Sequence, residues 1–117
     1  MLSDNDIQRI VSRIVAGIDP VAVGIFGSYA VGRAHEGSDL DLFVIQHTVL
    51  PGSARRRNVT RHLYGVLHPL DVHVFTPDEF EAGMLEELSF AWVIVRQARL
   101  YYQSSDMLAK VPSLRRE

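Results

Sequence analysis

A chain of 117 residues, 47% hydrophobic and 22% charged, has the size and composition of one globular domain, with no room for a second. Its net charge of −2 excludes a binder of polyanions by bulk charge, and the absence of cysteine excludes disulfides, thiolate catalysis and cysteine-based zinc sites. The first residues, MLSDNDIQRI, carry acids where a leader would carry bases, and no long apolar run follows. Neither a signal peptide nor a membrane span is expected, and a reducing, cytoplasmic setting fits.

In chain order, Ser3 and Asp6 have the spacing of a helix start, and Ile7, Ile10, Val11, Ile14, Val15 and Ile18 follow the period of one buried helical face. Asp19-Pro20 ends that helix. Val21 to Phe26 is a short apolar run and predicts a buried strand, which Gly27 breaks. A short helix is expected over Ser28 to Arg33, then a loop, then a second strand over Leu40 to Ile45. Pro51-Gly52 is a turn, and a helix is expected over Ser53 to Leu67 with Val59, Leu63, Val66 and Leu67 on its apolar face. A third strand covers Leu70 to Phe75, with Leu70, Val72 and Val74 on one side and Asp71 and His73 on the other. Thr76-Pro77-Asp78-Glu79 is a strong helix start, leading to about Leu88. A further helix over Ser89 to Ala98 and a last short strand over Leu100 to Tyr102 complete a domain of residues 1–103. Residues 104–117 read as a polar, frayed tail.

This alternation of helices and strands predicts an α/β fold with one small sheet flanked by helices. The connection between the first two strands is short, so they should pair antiparallel. That pairing lays Gly27 and Ser28 beside Asp39 and Asp41. Asp39 and Asp41 share one face of a strand, where like charges repel unless something positive lies between them. Asp71, on a strand of the same sheet, adds a third carboxylate. Hard divalent cations seek such oxygen-rich sites, with Mg²⁺ the usual occupant, and two ions can clamp both oxygens of an in-line phosphoryl displacement. Gly27 lets a ligand approach the backbone closely, and free N–H groups after it suit an anion. A triphosphate between the two halves is the reading that joins them.

The stretch GIFGSYAVGRAHEGSDLDLFV, with Asp71 in LDVHVF, resembles the signature of the polymerase-β-type nucleotidyltransferase superfamily. It is most similar to the minimal nucleotidyltransferase (MNT) group, over roughly Asp4 to Tyr102. The resemblance implies a polymerase-β-like fold with a small mixed sheet. It also implies Asp39, Asp41 and Asp71 as catalytic metal ligands for two Mg²⁺ ions, and Gly27, Ser28, Arg33 and Ser38 as binders of ATP. Arg33 stands two residues later than the arginine of many relatives, with Val31 in that place. MNT proteins are typically antitoxins of HEPN-type ribonuclease toxins and transfer AMP from ATP to a tyrosine of the toxin. The resemblance therefore implies a HEPN-type toxin partner in a hetero-oligomer, and leaves a homo-oligomer open.

Two other readings stand beside this one. The chain could neutralise a partner by occlusion without catalysis, or modify a small molecule of the aminoglycoside type. Direct nucleic-acid binding is not expected, because no aromatic and basic surface is visible. Arg55-Arg56-Arg57 with Arg61 could meet a triphosphate, RNA or an acidic partner, or simply form a solvated helix face. His73 could tune the site or be an ordinary strand histidine. The segment RNVTRHLY fits the Arg-x4-His-x-Tyr motif of HEPN toxins at Arg57, His62 and Tyr64, and is read as coincidence, since those domains are all-helical.

Overall fold

The computed structural model describes residues 1–105, so the polar tail, apart from its first two residues, lies outside the described residues. Helix α1 (Asp4–Ile18) starts as a capping box: the Asp6 N–H donates to Ser3 Oγ, and the Ser3 N–H donates to the Asp6 carboxylate. It stops at Asp19, in the left-handed region at φ 49°, just ahead of Pro20. Ile7, Ile10, Val11 and Ile14 are its buried residues, as their spacing demands.

Four strands form one sheet in the order β3-β2-β1-β4: β1 (Ala22–Phe26), β2 (Leu40–Ile45), β3 (Leu70–Phe75) and β4 (Arg99–Gln103). β1 runs antiparallel to both β2 and β4, while β2 and β3 are parallel, so the sheet is mixed. A parallel pair needs a crossover. Here it is α2 (Gly52–Thr60) followed by a single 3₁₀ turn, Arg61–Leu63. After β3 come α3 (Pro77–Met84) and α4 (Phe90–Gln97), the first with a complete Thr76–Glu79 capping box.

Alternation along the strands sorts side chains into two layers. Val23, Ile25, Leu40, Leu42, Val44 and Val72 pack with α1, Val59 and Leu63. Phe26, Phe43, Ile45 and Phe75 face the other way, toward Phe80 of α3 and Ala91 and Ile94 of α4. Around the sheet edge, Arg55 of α2 grips Glu79 of α3 through both guanidinium ends, at 2.6 and 3.0 Å, and holds Glu79 below the usual carboxylate range. The Tyr101 hydroxyl donates to Asp4 at 2.5 Å, pinning the start of α1 to β4. Burial and that bond raise the phenol to about 12. Among the described residues no helix is long and apolar enough to cross a membrane.

Three expected helices differ. Residues 28–32 form consecutive turns, not a helix. Gly27 O accepts from both Ala30 and Val31, Ser28 O accepts from Arg33, and Gly32 at φ +76° leaves helical space. The expected Ser53–Leu67 helix ends at Thr60 and tightens to 3₁₀, and Gly65 at φ +90° then turns the chain. Leu67, placed on the apolar face by its spacing, is therefore exposed. The helix expected to reach Leu88 stops at Met84, where backbone turns take over.

Phe80 is fully buried, stacked on Phe43 and edge-on to Phe75. Phe80→Ala should lower unfolding free energy by about 3–5 kcal/mol in urea titrations, because the aromatic layer cannot close the gap.

Candidate active site

The strand registers assemble the site. Phe26 at the end of β1 pairs with Asp41 near the start of β2, and Asp41 pairs with Asp71 near the start of β3. Asp39 stands two residues before Asp41, just ahead of β2. All three share parity with the side chains that face α3 and α4, so they rise from one end of that face. Asp39 is exposed; Asp41 and Asp71 are half-buried.

The electrostatics are those of crowded like charges. Burial pushes the Asp41 carboxyl up, Asp71 pushes it further, His73 draws it back in part, and Asp39 adds to the rise. Among the described residues no arginine or lysine pairs with any of the three; the one partner is His73, whose Nε2 lies 3.1 Å from Asp71 Oδ2. His73 is wedged among rings, with centroids 4.7 Å from Phe90 and 5.5 Å from Phe26. Among the described residues no three acidic or histidine side chains are gathered into a finished cation cage. What the three side chains offer is carboxylate oxygen, the donor type hard divalent cations prefer, with His73 as the one base beside them.

Gly27 turns the chain at φ +73°, directly against this cluster. A Cβ there would lie 2.1 Å from Asp41 Oδ2, so no side chain can be accommodated. The Gly27 N–H donates to Gln97 Oε1 at 3.0 Å, across 70 residues. β4 begins only at Arg99, paired with Ile25, so the Gln97 side chain extends that flank of β1 beyond its ladder. Since the Gly27 N–H is committed to Gln97, and those of Ala30, Val31 and Arg33 to the turn, the donors left are the N–H groups of Ser28, Tyr29 and Gly32 and the Ser28 hydroxyl. These make no hydrogen bond to another described residue. Donors that an anion could use thus stand in this turn beside the carboxylates, without the short helix expected there. Gln97 was missed in the sequence, where a lone glutamine at the end of an apolar helix carries no signal.

The other expected binders divide. Ser38 is buried; its hydroxyl accepts the His35 N–H at 2.9 Å, and its carbonyl meets His68 Nε2 at 2.9 Å, so it braces the loop carrying Asp39. Arg33 is exposed on that loop. Arg55 is occupied by Glu79 beyond the far end of β3, away from the carboxylates, whereas Arg56 and Arg57 are exposed. His62 packs its ring on α1 so closely that a Cβ at Gly17 would come within 2.5 Å of it. Arg57 and His62 thus lie in different helices beneath a mixed sheet, and their motif is a coincidence of spacing.

A model of the nucleotidyltransferase domain family matches residues 5–103. No curated protein is similar enough to match the chain. Among solved structures, a toxin–antitoxin complex with AMP-PNP shares 16% identity over 92% of this chain and 82% of the other, with a TM-score of 0.61. A candidate nucleotidyltransferase from Sulfolobus solfataricus shares 20% identity over 83% and 77%, with a TM-score of 0.58. A mutant MntA–HpeT toxin–antitoxin pair shares 14% over 97% and 84%, with a TM-score of 0.56. At these identities the likeness is one of fold.

The raised Asp41 pKa fixes a sign. Between the ordinary carboxylate range and its raised value, the folded state holds the proton more tightly than the unfolded state. Asp41 therefore costs stability as pH rises through that window, and the cost is complete above it. In chelator at pH 7, Asp41→Asn should melt about 2–5 °C higher than the parent, with the gain vanishing below about pH 3.8. Adding Mg²⁺ should raise the parent's melting temperature and leave the variant's unchanged, as read by calorimetry.

Proposed function

The chain belongs to the nucleotidyltransferase domain family, and from its site we propose that it transfers AMP from Mg-ATP to a tyrosine of a HEPN-type ribonuclease toxin, acting as that toxin's antitoxin. The observation that carries the reading is the contact of Gly27 with Asp41, itself in register with Asp71. The turn that would hold phosphate and the acids that would hold metal stand side by side there. The shared fold with toxin–antitoxin complexes, one of them holding an ATP analogue, supports the choice of nucleotide and partner.

In this reading Asp39, Asp41 and Asp71 hold divalent cations, Mg²⁺ in the cell. Bound there, such ions neutralise charge on the reacting phosphate and its leaving group. The Ser28 and Tyr29 N–H groups and the Ser28 hydroxyl bind the β- and γ-phosphates, and Arg33 reaches them from its exposed loop. The tyrosyl oxygen attacks the α-phosphorus, a new P–O bond forms, the Pα–O–Pβ link breaks and pyrophosphate leaves. Asp71 takes the phenolic proton. His73, bonded to Asp71 Oδ2, fixes that carboxylate's orientation for the acceptor.

The test pairs the chain with a purified HEPN-type toxin. With Mg-ATP, mass spectrometry should show the partner gaining AMP on tyrosine, and Asp39→Asn should lower the rate by at least about 10³-fold. A partner modified equally fast by the variant would contradict the assignment. Removing the Gln97 bond should loosen the cradle and leave the carboxylates in place. Gln97→Leu should raise KM for ATP about five- to tenfold and change kcat less than about threefold.

A further inference from the structure

The turn between α3 and α4 carries exposed apolar side chains at the margin of the core. Leu85 is 86% exposed, Leu88 75% and Phe90 46%. The turn is firmly built. Leu85, Glu86 and Ser89 N–H groups donate to Ala82, Gly83 and Glu86 carbonyls, and the Ser89 hydroxyl donates to Gly83 O while capping α4 at the Trp92 N–H. A Cβ at Gly83 would sit 2.8 Å from Ala91 Cβ, so the two helices meet closely at the base of the turn. Leu88 sits at φ +70°, a conformation costing a bulky residue of order 1 kcal/mol or more. Such a turn presents its leucines outward as a fixed feature.

The patch is continuous with the site. The Phe90 ring lies edge-on to His73, which also meets Asp71 and the Phe26 ring. Asp71 is on edge strand β3, whereas the phosphate cradle follows β1, with β2 between them. In-line displacement places the attacking oxygen opposite the leaving pyrophosphate, so the acceptor enters from the β3 and Phe90 side. The turn itself carries negative charge. Between Arg61 and Arg96 the chain has six acids and no arginine or lysine, and Glu86 and Glu87 are exposed in the turn itself.

We propose that Leu85, Leu88 and Phe90 form the docking surface for the acceptor protein, whose matching face has an apolar centre bordered by arginine and lysine. This rests on the protein-transfer reading above. An apolar centre with a charged rim is the arrangement in which a few buried anchors hold a complex and the rim charge speeds encounter.

The experiment uses the full chain, the same HEPN-type toxin and Mg-ATP. Leu88→Asn suits the left-handed backbone and should keep or raise the melting temperature, and Leu85→Ser lies on open surface. Together they should raise KM for the acceptor protein at least about tenfold while leaving KM for ATP and pyrophosphate release in its absence unchanged. Glu86→Lys with Glu87→Lys should slow association and flatten its salt dependence. An unchanged acceptor KM overturns the proposal, as does a loss confined to self-association of this chain. Failure of the parent itself to modify the partner overturns the underlying reading, and the docking surface with it.

Discussion

Asp41 is fixed by two ladders at once. Antiparallel pairing with Phe26 brings it against Gly27, and parallel pairing with Asp71 brings the third acid alongside. Neither contact tolerates slippage. A one-residue shift in β2 would turn Asp39 and Asp41 into the layer filled by α1, and a Cβ at Gly27 would occupy the space of the Asp41 carboxylate. The two aromatic and aliphatic layers hold those registers. The site is therefore a consequence of the core: Leu40 and Leu42 buried on one face oblige Asp39 and Asp41 to rise on the other.

Much of this was legible in the residues. The alternation around Asp39-Leu40-Asp41-Leu42 and Leu70-Asp71-Val72-His73 gave strand, face and crowding together, and the caps at Ser3 and Thr76 follow from local chemistry. What escaped depended on distance along the chain or on backbone angles. No pattern links Gln97 to the Gly27 N–H, because any polar side chain arriving there could make that bond. The helix expected after Gly27 failed at Gly32, whose positive φ is chosen by the turn and not announced by glycine alone. Leu67 obeyed a helical period that had already ended at a 3₁₀ turn. Arg55 stood in an arginine run open to a triphosphate, RNA, an acidic partner or plain solvent; only the folded chain shows it paired with Glu79.

The site sets acids that resist each other beside backbone donors that lack partners. In the proposed reading one ligand complex satisfies both halves: cations on the carboxylates, phosphate oxygens on the Ser28 and Tyr29 N–H groups. A protein keeps such a pair of defects where a ligand repairs both. His73 is the internal exception, since it gives Asp71 a partner and leans on Phe90 at the edge of the exposed turn. The aromatic layer thus runs from the core, through Phe26, to His73 beside Asp71.

The central claim is that one small volume between Gly27, Asp41 and Asp71 takes both metal and triphosphate. Crystals grown with Mn²⁺ and a non-hydrolysable ATP analogue, measured at the manganese absorption edge, test it most directly. The account predicts anomalous peaks bridging Asp41 and Asp71, with phosphate oxygens on the Ser28 and Tyr29 N–H groups. Manganese bound elsewhere, or a triphosphate lying on the exposed arginines of α2, would contradict it.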